Sequence, residues 1–250
     1  MGKDKNIAVR IQYDGTNYHG WQWQENAVTV QSTVETALQE TFGKPVRVTG
    51  CSRTDAGVHA LDYIMNFKTD TSIPTDRLPY ALNYRLPSDI TAVNAWEAAE
   101  DFNSRFSVNG KRYIYQIWNS VFKNPFLDRY SWHYPYKLDF ENIKKAAGYF
   151  VGRHDFAGFM ASGGQQTTTV RTVRVCTAER DENQPSLITV SVEADAFLYN
   201  MVRIIVGTLT DVGCGKLRAD DIPEIIESAD RLKGGVTAPP QGLFLKKVYL

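Results

Sequence analysis

Cys51-Ser52-Arg53-Thr54-Asp55-Ala56-Gly57-Val58-His59-Ala60 is a polar turn set between two strand-like runs, residues 46–49 and 63–67. It places a carboxylate two residues after an arginine, among small residues, with Gly57 supplying the conformational freedom a sharp bend needs. An aspartate in such a turn has two readings. In one it is an Asx-turn, accepting backbone N–H bonds while Gly57 takes the special backbone conformation. In the other it is a nucleophile or base, which must stay ionised in a partly dry pocket and therefore needs a cation within a few Å. Arg53, or an arginine distant in sequence, can supply that charge.

Working outward from this turn, Ile7, Val9, Ile11 and Tyr13 alternate with Ala8, Arg10 and Gln12, the period of a half-buried strand, which Asp14-Gly15 ends. Over Val30–Phe42 the apolar residues Val30, Val34, Ala37, Leu38 and Phe42 recur at helical spacing, with Thr29 as a cap and Gly43 and Pro45 as stops. A short helix at 77–84 and a strand at 90–95 follow. After Asn109-Gly110 the pattern starts afresh, with a strand at 113–118 and a helix that opens at Asp139, runs through Ile143, Ala146, Ala147 and Phe150, and stops near Gly152. Strands are predicted at 170–178 and 187–192, helices at 199–212 and 220–229, and a closing strand at 243–250. The order implies an α+β protein with antiparallel sheet, divided into domains 1–105 and 106–250 that share one continuous sheet or core.

Among the 250 residues, 43% are hydrophobic, with Tyr 13, Phe 12 and Trp 5, which excludes a disordered or collagen-like chain. No run of about 18 apolar residues occurs, since Asn200 and Arg203 interrupt the most apolar stretch, so no membrane span is expected. The N-terminal Met1-Gly2-Lys3-Asp4-Lys5-Asn6 carries no leader-like apolar region, and the expected location is cytoplasmic. Cys51, Cys176 and Cys214 are far apart and read as reduced thiols, and the four histidines are isolated from one another, so no metal site is expected. Gly213-Cys214-Gly215-Lys216-Leu217 lacks the earlier Gly and the Ser/Thr of a phosphate-binding loop. The 28 basic and 28 acidic side chains cancel, so only local clustering can attract a polyanion. Between Arg105 and Arg153, Lys111, Arg112, Lys123, Arg129, Lys137, Lys144 and Lys145 are interleaved with aromatics, a pattern that suits phosphate attraction and base stacking, or a solvated face over a core.

The segment from Ser52 to Ala60 resembles the signature loop of the TruA family of tRNA pseudouridine synthases. Further blocks resemble the family in the same order: Tyr13-Asp14-Gly15 with Tyr18, Gly20, Trp21 and Gln22; Leu82-Asn83; Phe102-Asn103 with Arg105-Phe106; and Lys111-Arg112-Tyr113-Ile114-Tyr115. Phe197-Leu198-Tyr199-Asn200-Met201-Val202-Arg203, Gly207 and Ala238-Pro239-Pro240-Gln241-Gly242-Leu243 complete the set. The resemblance implies the pseudouridine synthase fold: two similar α/β-sandwich halves joined through a central mixed, mainly antiparallel sheet, with the catalytic cleft between them. It implies an isomerase that converts uridine to pseudouridine in the tRNA anticodon arm, homodimeric and free of cofactors. By the same resemblance the catalytic residues are Asp55, Tyr113 and Arg203, the last as partner of the aspartate, while Arg53 helps extrude the target nucleotide and Tyr113 and Leu243 contact the substrate. Ser52 departs from the glycine many members carry there. A non-catalytic RNA-binding module would not need Asp55, Tyr113 and Arg203 together, and a nucleoside glycosidase would release uracil.

Overall fold

The structure, a computed structural model, describes residues 4–164 and 167–250; Met1, Gly2 and Lys3, on which part of the N-terminal reading rests, lie outside the described residues. The chain divides into two compact units, one formed by residues up to Asn109 together with Phe244–Leu250, the other by Gly110–Leu243.

In the first unit, β1 (Lys5–Tyr13) is the inner strand. Helix α1 spans Val30–Phe42, and its ends are those the sequence predicts: Thr29 Oγ1 accepts from the Ser32 N–H while Ser32 Oγ accepts from the Thr29 N–H, and Gly43 stops the helix at φ 71°. β2 (Thr49–Gly50), β3 (His59–Thr69), α2 (Leu78–Asn83) and β4 (Ile90–Glu97) follow. β1 runs antiparallel to both β3 and β4. Ile7, Val9 and Ile11 are buried as the alternation predicts, and Ala8 on the opposite face is buried too, whereas Arg10 is half-buried and Gln12 exposed on that face. β3 is longer than the apolar run 63–67 suggests, since Ala60 already pairs with Tyr13 and starts the ladder.

The second unit contains β5 (Gly110–Asn119), β6 (Trp132–Tyr134), α3 (Phe140–Gly148), β7 (Gly152–Asp155), β8 (Val170–Arg180), β9 (Leu187–Ala194), α4 (Met201–Gly213) and α5 (Ile222–Ser228). β7, β8, β9 and β5 pair antiparallel in that order, and β6 adds to β5 in parallel. The short strands β6 and β7 have no alternating apolar signal and are not predicted from the sequence. Asp139 caps α3 by accepting from the Asn142 N–H at 3.1 Å. α4 is apolar around almost its whole circumference and correspondingly buried, from Met201 and Val202 through Ile204, Ile205, Val206 and Leu209.

The closing strand β10 (Leu243–Tyr249) pairs in parallel with β3, Phe244 opposite His59 and Leu245 opposite Ala60. Residues 244–250 therefore lie with the first unit, whereas the domain division 106–250 read from the sequence assigns them to the second. Strand pairing at a separation of some 180 residues carries no local signal, which is the physical reason for the difference. In both units the sheet is mainly antiparallel and helices accompany it, the mixed α/β class expected of the pseudouridine synthase fold.

Gly207 leaves room for the main chain of the second unit's 235–238 segment: a Cβ there would lie 1.7 Å from the carbonyl oxygen of Val236. Gly207→Ala must push the 235–238 segment off α4, and is expected to cost about 3 kcal/mol or more, lowering Tm by roughly 10 °C in a thermal melt. A melt unchanged within about a degree would mean the contact relaxes without cost.

Candidate active site

The Asp55 loop lies over three aromatic rings of the first unit. Trp21 stacks on Tyr63 with centroids 4.1 Å apart, and Tyr13 lies 5.6 Å from Tyr63. The Tyr63 hydroxyl donates to the Ser52 carbonyl, and Gly50 leaves room for that hydroxyl, which a Cβ would approach to 2.2 Å. Thr54 points inward and is buried, its hydroxyl 2.8 Å from that of Tyr13, while Arg53 before it is exposed and Asp55 after it half-buried.

The segment from Asp14 to Trp21 clasps the same loop. The Trp21 N–H donates to the Thr54 carbonyl at 3.0 Å, and the Gly57 N–H donates to the Tyr18 carbonyl at 3.2 Å. Gly20, at φ 83°, passes so close that a Cβ would sit 2.5 Å from the Thr54 carbonyl oxygen. The turn is closed by main chain, the Val58 N–H donating to the Asp55 carbonyl at 3.2 Å with Gly57 at φ 76°. These backbone bonds close the turn. Ser52 is not among the described non-glycine residues with positive φ, so serine in place of the family's usual glycine carries no backbone strain.

In the second unit, Tyr113, Tyr115 and Ile117 lie on the buried face of β5. Tyr113 meets Phe197 edge to face, centroids 4.9 Å apart at 81°. The Tyr115 hydroxyl donates to the Pro239 carbonyl at 2.7 Å, and burial pushes its pKa upward, a rise that the Arg203 charge partly offsets. Arg203, in the first turn of α4, donates from Nε to the Ala238 carbonyl at 2.7 Å and from Nη1 to Asn200 Oδ1 at 2.8 Å. Asn200 can do this because it caps α4 in the left-handed region, φ 60°, which asparagine tolerates better than most residues. The Ala238 N–H in turn donates to the Arg203 carbonyl at 3.1 Å, so Ala238 holds the arginine by both its side chain and its main chain. Leu243 is buried just beyond Gly242, whose missing Cβ would lie 2.7 Å from the Tyr115 ring.

Tyr113 and Arg203 thus share the framework of the second unit, and Arg53 and Asp55 that of the first. Sequence reading did not single out Asn200 and the Ala238 carbonyl as the bonds that orient Arg203. The i,i+3 spacing of Asn200 and Arg203 at a helix start is the signal for the first; the second has none. Among the described residues no His/Cys/Asp/Glu cluster could hold a metal ion, and no helix is long and apolar enough to cross a membrane. Cys176 is buried, which pushes its thiol up to about 12 and leaves it inert at neutral pH.

A family profile described as tRNA pseudouridine synthase matches residues 9–107 and 146–249, which include Asp55 and Arg203 and both clasping segments. The chain is 51% identical over 244 residues to "tRNA pseudouridine synthase A" of Thermoanaerobacter sp. (strain X514), covering 98% of this chain and 99% of that one. It is 50% identical over 245 residues to the protein of the same name from Acetivibrio thermocellus, with 98% and 99% covered. It is 46% identical over 246 residues to "tRNA pseudouridine synthase A 2" of Clostridium perfringens, again with 98% and 99% covered. With end-to-end likeness at this level and the fold in agreement, the chain belongs to the TruA family of tRNA pseudouridine synthases, isomerases that convert uridine to pseudouridine in tRNA.

Proposed function

We propose that this chain isomerises uridine in the anticodon arm of tRNA, as a cytoplasmic homodimer, with Asp55 as nucleophile. The observation that carries the reading is the Asp55 loop, anchored through the buried Thr54 and closed by its own backbone, which holds the half-buried carboxylate on a fixed main chain. In this reaction the bond between N1 and C1′ breaks, the uracil rotates while still bound, C5 bonds to C1′, the proton on C5 leaves to water and N1 takes up a proton, so that the product is an isomer of the substrate. One carboxylate and exclusion of water suffice, so no metal or cofactor is required. Attack at C6, attack at C1′ and abstraction of a sugar proton are all open to an aspartate.

Arg203 serves as the cation that keeps the carboxylate ionised once the base displaces water, supported by its fixed orientation between Asn200 and Ala238. Tyr113 stacks on the extruded base, a contact worth roughly 1–3 kcal/mol, and its hydroxyl can assist loss of the C5 proton. Arg53, exposed on the loop, fills the space a flipped nucleotide vacates or binds phosphate, and Leu243 supplies apolar contact to the base. The test is incubation of unmodified tRNA tritiated at uracil C5, with EDTA present and ATP absent. Release of label to water is expected, and retention of label with tight binding would reduce the chain to an RNA-binding module.

Of the basic residues between 105 and 153, Lys111 is buried and Arg112 is held by Glu193 Oε2, with Nε at 2.9 Å and Nη2 at 2.7 Å, so neither is well placed to meet phosphate. Lys123 and Lys137 are exposed. Neutralising Lys123 and Lys137 together is expected to weaken tRNA binding and to reduce the slope of log K against log salt by about two, one for each phosphate no longer neutralised. An unchanged slope in a filter-binding titration would place the footprint elsewhere.

A further inference from the structure

We propose that His59 is a positioning residue for the Asp55 loop, gripping the Asp14-Gly15 turn through Nδ1; this rests on the reading that Asp55 carries the isomerisation. His59 opens β3, is 1% exposed, and its ring stacks on Phe244 of β10 with centroids 4.7 Å apart. Its Nδ1 accepts from the Gly15 N–H at 3.0 Å and also lies 3.0 Å from Asp14 Oδ1. One ring nitrogen offers either a lone pair to Gly15 or a proton to Asp14, and in both forms it holds the same turn. That turn has no slack: a Cβ on Gly15 would lie 2.0 Å from the Val58 carbonyl oxygen. From the turn the chain runs directly into the segment that clasps the Asp55 loop through Tyr18 and Trp21, bonded to Gly57 and Thr54. A buried polar atom at this point fixes where the clasp begins, and the clasp fixes the backbone on both sides of Asp55.

The chemistry of the side chain makes the inference testable. In His59→Asn the amide places a polar atom near the position of Nδ1, in His59→Gln it lies one bond further out, and in His59→Leu there is none. Single-turnover tritium release, tRNA affinity and amide exchange at Gly15 are measured for the wild type and the three variants. His59→Leu is expected to slow the single-turnover step on the order of 10- to 100-fold with tRNA affinity within about twofold, as for a reacting group displaced by a fraction of an ångström to one ångström. His59→Asn is expected to recover most of the rate and His59→Gln little. In parallel, the Gly15 amide should exchange faster in the Leu variant and regain protection in the Asn variant. Equal slowing in Asn and Gln, or wild-type turnover in Leu, overturns the proposal, and the Asn and Gln pair decides it if the Leu variant does not fold. A wild type that releases no tritium, together with lost Gly15 protection in the Leu variant, overturns the assignment of the reaction and leaves the positioning role standing. Unchanged Gly15 protection overturns the positioning role itself.

Discussion

Asp55→Asn is expected to lower tritium release from C5-labelled tRNA by on the order of 10³-fold or more, while the melting temperature and most of the tRNA affinity are kept. The amide is nearly the shape of the carboxylate, and the loop is anchored through other groups: the Thr54 hydroxyl and carbonyl, the Gly57 and Val58 amides, and the Asp55 carbonyl. What the substitution removes is the negative charge that a nucleophile or base supplies, whichever atom of the nucleotide it attacks. Activity near the parent rate would refute Asp55 as the reacting group and return its loop to a purely structural turn.

Arg203→Met should lose most turnover and shift the pH–rate profile. A cation beside a carboxylate favours its ionised form, and removing the cation lets the group keep its proton to higher pH. If the ionised carboxylate is the active form, the rising limb of the profile therefore moves upward in pH, and at neutral pH less of the enzyme is active. The same substitution deprives the Ala238 carbonyl and Asn200 Oδ1 of the donors that Arg203 provides, a loss of about 1–3 kcal/mol in stability, so rates need comparison well below Tm. Arg203→Lys restores the charge without the planar fork that reaches both acceptors, and intermediate activity with a partly restored pH limb is expected. A Met variant with normal rate and an unshifted limb would make Arg203 a structural residue only, and Arg53, two residues from Asp55, the next cation to vary.

The features that sequence alone made legible are those written in local physics. The Thr29 cap, the α1 face and the Gly43 stop lie within fifteen residues of one another, so hydrogen bonding and side-chain spacing declare them directly. The same holds for the Asp139 cap of α3, for β1 and for the strand that follows the Asp55 turn, whereas of the run 46–49 only Thr49 lies in a strand, the two-residue β2. β6 and β7 were not legible because three or four residues of mixed burial have no period to detect.

By itself, then, the sequence determined the α+β class, the order of the main elements, the family and the loop bearing Asp55, since each follows from short-range patterns or from blocks of residues in fixed order. Only the tertiary structure decided that the last strand joins the first unit beside β3, that Lys111 and Arg112 are engaged in the protein, and that the Ala238 carbonyl orients Arg203. It also decided that a buried imidazole holds the turn at Gly15, forty-four residues away in the chain. The reason is common to all four: a hydrogen bond or a strand pairing acts on distance in space, whereas propensity and periodicity act on distance along the chain.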